Sequence, residues 1–468
     1  MSKLPRIMIA GTHSGVGKTT VTLGIMSALV KKGLIVQGFK AGPDYIDPSH
    51  HTFVTGNASR NLDTWIMGNG ACCELFVRSA VSADISVVEG VMGLYDGSID
   101  GTGIGSSAHL AKVLKVPVIL VINAKGLAQS AGAVVLGYKV YDKDVEVSGV
   151  IVNNIASDTH YDCIKKAIEE KTSVPVLGYL KQDRELTIPE RYLGLIPFTE
   201  RKNGSPLYEK LGEMVLRTVD IDGLLKVAHS ADGFPDHHKA IFQNIGRCFD
   251  IQMAVARDEA FCFYYQDDIE LFESLGVRIN YFSPLHDKCI PNKVDGVYLG
   301  GGFPELYAGR LMENKSMRDS ILETSLKGTI LYGECGGLMY LLEKLIDTEG
   351  RVFTMCGVIK GSCRMEKRRQ GLGYITVHSR CDSVICNRGD DFRAHEFHWS
   401  RLVDVPEGAV FAYETRKSNG KRQGLDGIYK KNILASYTHI HFSSNPKLAK
   451  NLLSTMAKVS GKKVVINL

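Results

Sequence analysis

The stretch RIMIAGTHSGVGKTTVTLGIM, Arg6–Met26, decides how the N-terminal half folds. Arg6–Gly11 is a short apolar run of the kind that is buried as a strand. A glycine loop follows, and apolar residues then recur at helical spacing from about Thr19 to Lys32. Strand, glycine loop and helix in that order are the context a phosphate-binding loop requires. The glycines let backbone N–H groups approach phosphate oxygens. Lys18 brings positive charge to the β- and γ-phosphates, and the Thr19 hydroxyl is placed to ligate Mg²⁺. The loop is one residue longer than the common pattern, with Thr12 where the first glycine would stand. Thr12, Gly15, Gly17, Lys18 and Thr19 form the expected ATP-binding set.

Further apolar runs rich in β-branched residues follow: LIVQGFK, DISVVEG, VPVILVIN and VEVSGVIVNN. Helical patterns such as GSSAHLAKVLK separate them. This alternation predicts a parallel α/β sheet. VPVLGYL and YLGLIP are expected to close the domain, with a helix near 206–217 after them. Periodicity weakens and Gly, Pro, Asp and His gather from about 222 to 246. The expected organisation is a nucleotide domain over 1–225, a linker over 226–246 and a second α/β domain over 247–460.

Carboxylates at strand ends are the candidates to complete the phosphate site. Glu89 ends ISVVEG, and KAGPDYIDP supplies Asp44 and Asp47. Mg²⁺ takes hard oxygen ligands and keeps several waters, so one or two carboxylates suffice. Thr19, Asp44 and Glu89 are the expected metal set, with Asp47 a further substrate- or metal-side carboxylate. Turn chemistry is the alternative reading of Asp44 and Asp47, since GPD and DP both form turns. Asp96 in GLYDG is a weaker candidate. Asn153 and Asn154 end a strand, where their amides are candidates to read an adenine edge, or merely begin a loop.

The second half carries different chemistry. In ILYGECGGLMYL, residues 330–341, an apolar run breaks at Gly333-Glu334-Cys335-Gly336-Gly337 and a helical pattern follows. Gly-x-Cys-x-Gly has the form of a nucleophile elbow, with Cys335 at the exposed position. A helix N-terminus beside a thiol favours the thiolate. The Gly336 N–H is one expected oxyanion donor, and Gly301 in YLGGGFPE is the second. A nucleophilic cysteine needs a base, and ASYTHIHF supplies His439 and His441. Period-two spacing puts both on one face. His439 is the expected base, and His441 lies where an orienting group would sit. RAHEFHWS lacks the spacing of a zinc helix and reads as a substrate-lining or structural loop.

Composition excludes several classes. A formal net charge of +5 over 468 residues, without a basic stripe, gives no sign of a nucleic-acid partner. No apolar run reaches the roughly 20 residues a membrane helix needs. The 11 cysteines are scattered, with no CxxC pair, as expected for a cytoplasmic chain with free thiols.

The motifs IAGTHSGVGKTT, KAGPDYIDPSHH, SRNLD, VVEGVMGLYDG, YLGGGFPELYA, GECGGLMYL, HEFHWS and ASYTHIHF occur together and in order. In this the chain resembles the cobyrinic acid a,c-diamide synthase family over nearly its full length. The resemblance implies a dethiobiotin-synthetase-like P-loop domain joined to a class I glutaminase-like domain of the triad type. It also implies Mg²⁺ as cofactor, with ATP, glutamine and a tetrapyrrole (corrinoid) as substrates. Cys335 would attack glutamine and release ammonia. ATP would phosphorylate acetate carboxylates at positions a and c, and ammonia would displace the phosphate. Glutaminases of this type carry His-x-Glu, whereas this chain has His439-Ile440-His441. A homodimer is compatible with this reading. The same chemistry on nickel-sirohydrochlorin, in coenzyme F430 synthesis, is a close alternative. A ParA/MinD-type ATPase switch is a distant one, with His13 standing where such proteins carry a signature lysine.

Overall fold

The computed structural model describes residues 4–98, 101–183, 190–191, 194–195, 205–234, 241–242 and 248–464. The chain divides into two compact units, Met1–Ala240 and Ile241–Leu468. The expected linker needs a correction at its start, because Ile221–Ser230 is a helix of the first unit. The Asp220 side chain caps it by accepting from Gly223 N–H at 2.8 Å. Ile221, Leu224 and Ala228 bury one face in the first unit's core. Leu225 and Val227, partly buried, pack against the same core. Of the rest of that segment, 231–234 and 241–242 are described.

In the first unit the strands are β1 (Arg6–Gly11), β2 (Val36–Ala41), β3 (Arg60–Leu62), β4 (Ile85–Glu89), β5 (Val118–Asn123), β6 (Val147–Ile155) and β7 (Val176–Lys181). They form one parallel sheet in the order β3-β2-β4-β1-β5-β6-β7. β1, β2 and β4 are buried along their whole length, as expected of a sheet covered on both faces. The helices are α1 (Lys18–Lys31), α2 (Ile46–Thr55), α3 (Gly68–Ala80), α4 (Ser107–Leu114), α5 (Ser130–Tyr141), α6 (Asp158–Thr172), α7 (Ser205–Thr218) and α8 (Ile221–Ser230). Short β8 (Glu190–Arg191) and β9 (Gly194–Leu195) pair with each other. Of the YLGLIP segment, only Gly194–Leu195 lies within the described residues.

The chain passes from β1 to β2 across β4, then adds later strands on the other side of β1. Ligands in such sheets bind at the strand C-termini where the order reverses. Register sets what lies there: Glu89 is opposite Ile9 on one side and Lys40 on the other.

In the second unit a nine-stranded sheet mixes both directions. Its parallel part comprises β10 (Ile251–Ala256), β11 (Val277–Phe282), β12 (Gly296–Leu299) and β13 (Ile330–Glu334). A smaller sheet is made of β14 (Leu342–Ile346), β15 (Val352–Thr354), β16 (Ile359–Met365) and, later in the chain, β19 (Ser400–Val403). The large sheet continues with β17 (Gly371–Ser379), β18 (Asp391–His398), β20 (Val410–Lys417), β21 (Arg422–Lys430) and β22 (Ile433–Ser436), in the order β11-β10-β12-β13-β22-β21-β20-β17-β18. β22 runs parallel to β13, and the strands beyond it are antiparallel. The helices are α9 (Gln266–Ser274), α10 (Ala308–Glu313), α11 (Lys315–Leu326), α12 (Gly336–Leu341) and α13 (Pro446–Val459).

RAHEFHWS is therefore not a loop. It lies in β18 and reaches the start of β19, with buried Phe392 and Ala394 alternating with exposed Asp391 and Arg393. No helix among the described residues is long and apolar enough to cross a membrane.

Candidate functional site

The first unit builds a phosphate loop between β1 and α1. Thr12 is tied down by its own backbone: its N–H donates to Val121 at 3.2 Å, and its carbonyl accepts from the Tyr138 hydroxyl. Gly15 is open, with a positive φ of 79°. Gly17 starts α1 at φ 95°, and a methyl group there would run into the Asn153 amide. Asn153 donates to the Val16 carbonyl at 3.0 Å. Asn153 thereby braces the loop. Asn154 donates to Asn123 at 3.1 Å.

Behind the loop lies a buried charged group. Thr19 donates to Glu89 Oε1 at 2.6 Å, and Lys40 Nζ lies 3.0 Å from the same oxygen. His51 Nε2 meets Glu89 Oε2 at 2.7 Å. Lys40 is also paired with Asp47 at 2.5 Å. Burial alone would raise the pKa of Glu89, but Lys40 and His51 outweigh it and hold Glu89 ionised. Burial works against the charge of Lys40 too, and Asp47 and Glu89 keep it protonated. Asp47 is pushed up by burial and by the like charges of Asp44 and Glu89. Burial and the charge of Lys40 bring Lys18 down to about 8. Lys40 and His51 were missed in the sequence, although a lysine closing an apolar strand beside VVEG was a signal.

The carboxylates separate by role. Asp44 accepts from the Ile46 N–H at 2.7 Å and the Asp47 N–H at 3.2 Å, a turn that opens α2. Asp96 accepts from Gly93 N–H at 2.9 Å, also within a turn. Thr19 and Glu89 are the hydroxyl and carboxylate brought together, hard oxygen donors of the kind Mg²⁺ takes, with Lys40 and His51 also on the Glu89 oxygens.

In the second unit β13 runs directly into α12 through Cys335, which has φ 47° and ψ −97°. A non-glycine residue in that region is strained, as at a nucleophile elbow. Gly337 is required because a methyl group there would meet the Leu299 carbonyl. The Cys335 N–H donates to Ser436 at 2.7 Å, tying the elbow to β22. Its sulfur lies 3.9 Å from the Phe397 carbonyl and is 6% exposed. Burial, then the charge of Glu305, pushes the thiol well above its usual range in the free chain, opposing the helix N-terminus. A six-residue helix does not offset that cost.

His439 reaches the same end of the sheet from beyond β22. It pairs with His395 of β18 through two backbone bonds, 2.9 and 3.2 Å, and the two rings stack at 4.9 Å. Its Nδ1 lies 3.9 Å from Glu334 Oε2. Burial, then the charge of His398, lowers His439 to about 3, which favours a neutral ring. A side chain on Gly301 would meet the His439 ring at 2.7 Å, and one on Gly336 would lie 3.1 Å from the Gly302 nitrogen. The loop of Gly301 and Gly302 therefore lies beside both the His439 ring and the elbow, and the amide beside Gly336 is that of Gly302. His441 does not face the same partner as His439. Its Nδ1 pairs with Asp268 at 3.1 Å, and it stacks on Tyr265. Nothing in the sequence marks Glu334 as facing His439, because only folding reveals which group its carboxyl meets.

A phosphate loop on a parallel sheet and a cysteine elbow on a second sheet define a nucleotide-binding unit joined to a glutamine amidotransferase unit. Residues 7–196 match the CobQ/CobB/MinD/ParA nucleotide binding domain, and residues 252–447 match the CobB/CobQ-like glutamine amidotransferase domain. The chain is similar to cobyrinate a,c-diamide synthases along its length. It is 40% identical to that of Dehalococcoides mccartyi strain CBDB1, covering 96% of this chain and 97% of the relative. The Caldanaerobacter subterraneus subsp. tengcongensis protein is 42% identical over 95% and 97%, and that of Methanothermobacter thermautotrophicus is 42% identical over 95% and 98%. The chain belongs to the cobyrinate a,c-diamide synthase family, which are amidotransferase ligases of cobalamin biosynthesis.

Proposed function

We propose that the chain amidates the a- and c-acetate carboxylates of cobyrinic acid with ATP and glutamine, through acyl phosphates. The observation that carries this is the pairing, within one chain, of the Lys18–Thr19–Glu89 phosphate site with the strained Cys335 elbow and its histidine. The substrate follows from the relatives, which are named for it.

In the glutaminase unit the Cys335 S–H bond breaks, and its proton passes to the neutral His439 ring. The sulfur then bonds to the glutamine amide carbon while backbone N–H groups of Gly336 and the Gly301–Gly302 loop hold the oxyanion. The C–N bond breaks, His439 returns the proton, and ammonia leaves. Water then hydrolyses the thioester to glutamate and regenerates the thiol.

In the nucleotide unit a substrate carboxylate oxygen takes the γ-phosphoryl group and ADP leaves. Ammonia attacks the acyl carbon and phosphate departs, giving the amide. A free carboxylate resists that attack because oxide is its leaving group. Lys18 and the loop amides of Gly15 and Gly17 offset phosphate charge. Thr19 and Glu89 are the residues that would hold Mg²⁺, which when bound neutralises phosphate charge. Asp44 and Asp47 support this site by shaping the turn and by holding Lys40.

The test is product analysis with ATP, Mg²⁺, glutamine and either cobyrinic acid or nickel-sirohydrochlorin. Mono- and diamidated cobyrinic acid are expected. Cys335→Ala should lose glutamine-supported amidation while ammonium salt still supports it. Lys18→Ala should lose amidation with either nitrogen source yet still hydrolyse glutamine. Amidation of the nickel compound alone would reassign the substrate. ATP hydrolysis stimulated by lipid or DNA, without glutamine or acceptor, would favour the ATPase-switch reading.

A further inference from the structure

Glu334 is the last residue of β13 and immediately precedes the nucleophile, yet it is fully inside the protein at 1% exposure. Three donors fix its carboxyl. The Tyr332 hydroxyl donates to Oε1 at 2.6 Å, the Tyr298 hydroxyl to Oε2 at 3.2 Å, and the Ile440 N–H to Oε1 at 3.4 Å. Oε2 then faces His439 Nδ1 at 3.9 Å.

A glutaminase base needs a partner on the ring nitrogen that does not take the thiol proton. That partner fixes the tautomer and steadies the imidazolium. The residue two beyond His439 supplies no carboxylate, because it is His441. The Nδ1 of His441 is already directed to Asp268, whose Oδ1 also accepts from Phe442 N–H at 3.0 Å.

We infer that Glu334 is the positioning residue of the glutaminase centre, its carboxylate accepting from His439 Nδ1–H so that Nε2 carries the lone pair that takes the Cys335 proton. This rests on the proposed roles of Cys335 and His439. The gap of 3.9 Å belongs to the free chain, and catalytic hydrogen bonds of this kind tighten when substrate binds. Glu334 keeps no proton in the transfer. The S–H proton moves to the ring, and the carboxylate only counters the charge that forms there.

The surroundings of Glu334 are acidic or neutral. They are the ring of His439, the hydroxyls of Tyr298, Tyr332, Tyr264 and Tyr413, the thiol of Cys335, and Asp268. Burial, with the charge of Asp268 adding, pushes Glu334 up to about 8. Its carboxylate therefore forms as pH rises through about 8, and glutamine hydrolysis should climb over the same interval.

The experiment measures kcat and KM for glutamine hydrolysis from pH 6 to 9.5 in wild type, Glu334→Gln, Glu334→Asp and Cys335→Ala. Thermal melts serve as the check on folding. The expected result is a fall in kcat of about 100-fold in Glu334→Gln, with KM for glutamine within about twofold and the rise near pH 8 gone. Glu334→Asp should recover part of the rate and of the pH rise. A folded Glu334→Gln with wild-type kcat and pH profile overturns the inference while leaving the glutaminase reading intact. Hydrolysis surviving in Cys335→Ala would overturn that underlying reading instead. Should the Glu334 variants not fold, ¹⁵N-histidine NMR of the wild-type chain decides. An Nδ1–H tautomer of His439 whose shift moves near pH 8 supports the inference, and an Nε2–H tautomer refutes it.

Discussion

The Thr19 hydroxyl donates to Glu89 at 2.6 Å, although 70 residues separate them in the chain. Glu89 also anchors Lys40 and His51, so one carboxylate organises the floor of the phosphate site. Glu89→Gln should therefore lower the ATP-dependent step by at least tenfold while glutamine hydrolysis persists. Asp44→Asn provides the contrast, because asparagine forms the same turn as aspartate. It should leave the melting temperature nearly unchanged. Near-normal ATP turnover in Asp44→Asn would confine that residue to its turn. A similar loss in both variants would return Asp44 to the metal set.

Asn153 braces the phosphate loop through Val16, in space that Gly17 leaves open. Asn153→Ala removes one buried hydrogen bond, a loss of about 1 kcal/mol. The expected consequence is a several-fold higher KM for ATP with little change in kcat. Gly17→Ala should be far worse, since it adds a methyl group at a positive φ and collides with the Asn153 amide. Steady-state kinetics in ATP separates the two. Equal effects would argue against the brace.

Lys18 sits near pKa 8 because burial and the neighbouring charge of Lys40 oppose its ionisation. Triphosphate binding brings opposite charge and raises it. At pH about 8.5 nucleotide binding should therefore take up protons, and below pH 7 the uptake should vanish. Titration calorimetry in buffers of different ionisation enthalpy measures this directly. Lys18→Arg should abolish the uptake, because arginine stays protonated throughout. Uptake that is the same in the variant would locate the proton elsewhere.

Burial, then the charge of Asp426, raises Glu396 from 4.5 to about 8. The folded chain thus keeps a proton that the unfolded chain releases near 4.5. That contribution to stability is complete below about 4.5 and is lost as pH rises to about 8. Glu334 contributes with the same sign over the same window. Glu396→Gln cannot titrate, so its melting temperature relative to wild type should rise from pH 5 to pH 8. Parallel curves for the two proteins would show that Glu396 is already ionised in the folded state.

Contiguous motifs were legible because their chemistry is local. The loop from Gly11 to Lys18 and the elbow from Gly333 to Gly337 are each a strand, a tight turn and a helix start encoded within a dozen residues. The strands of the first sheet were legible too, since full burial demands unbroken apolar runs. Less was visible where the signal was diluted. Helix α8 is only ten residues long and lies where Gly, Asp and His gather, and the antiparallel strands from β17 to β21 alternate polar and apolar residues over a segment read for its histidines.

By itself the sequence determined two α/β units, a phosphate loop with Lys18 and Thr19, and a cysteine at a strained turn with a histidine late in the chain. Only the tertiary structure decided which charges meet. Parallel register sets Lys40 beside Glu89, and β13 beside β22 carries Glu334 to His439, 105 residues along the chain by number. It also decided which way the thiol is pushed, upward, because ionisation depends on how much water folding removes and which neighbours replace it. Those are properties of three-dimensional packing, and no local spacing encodes them.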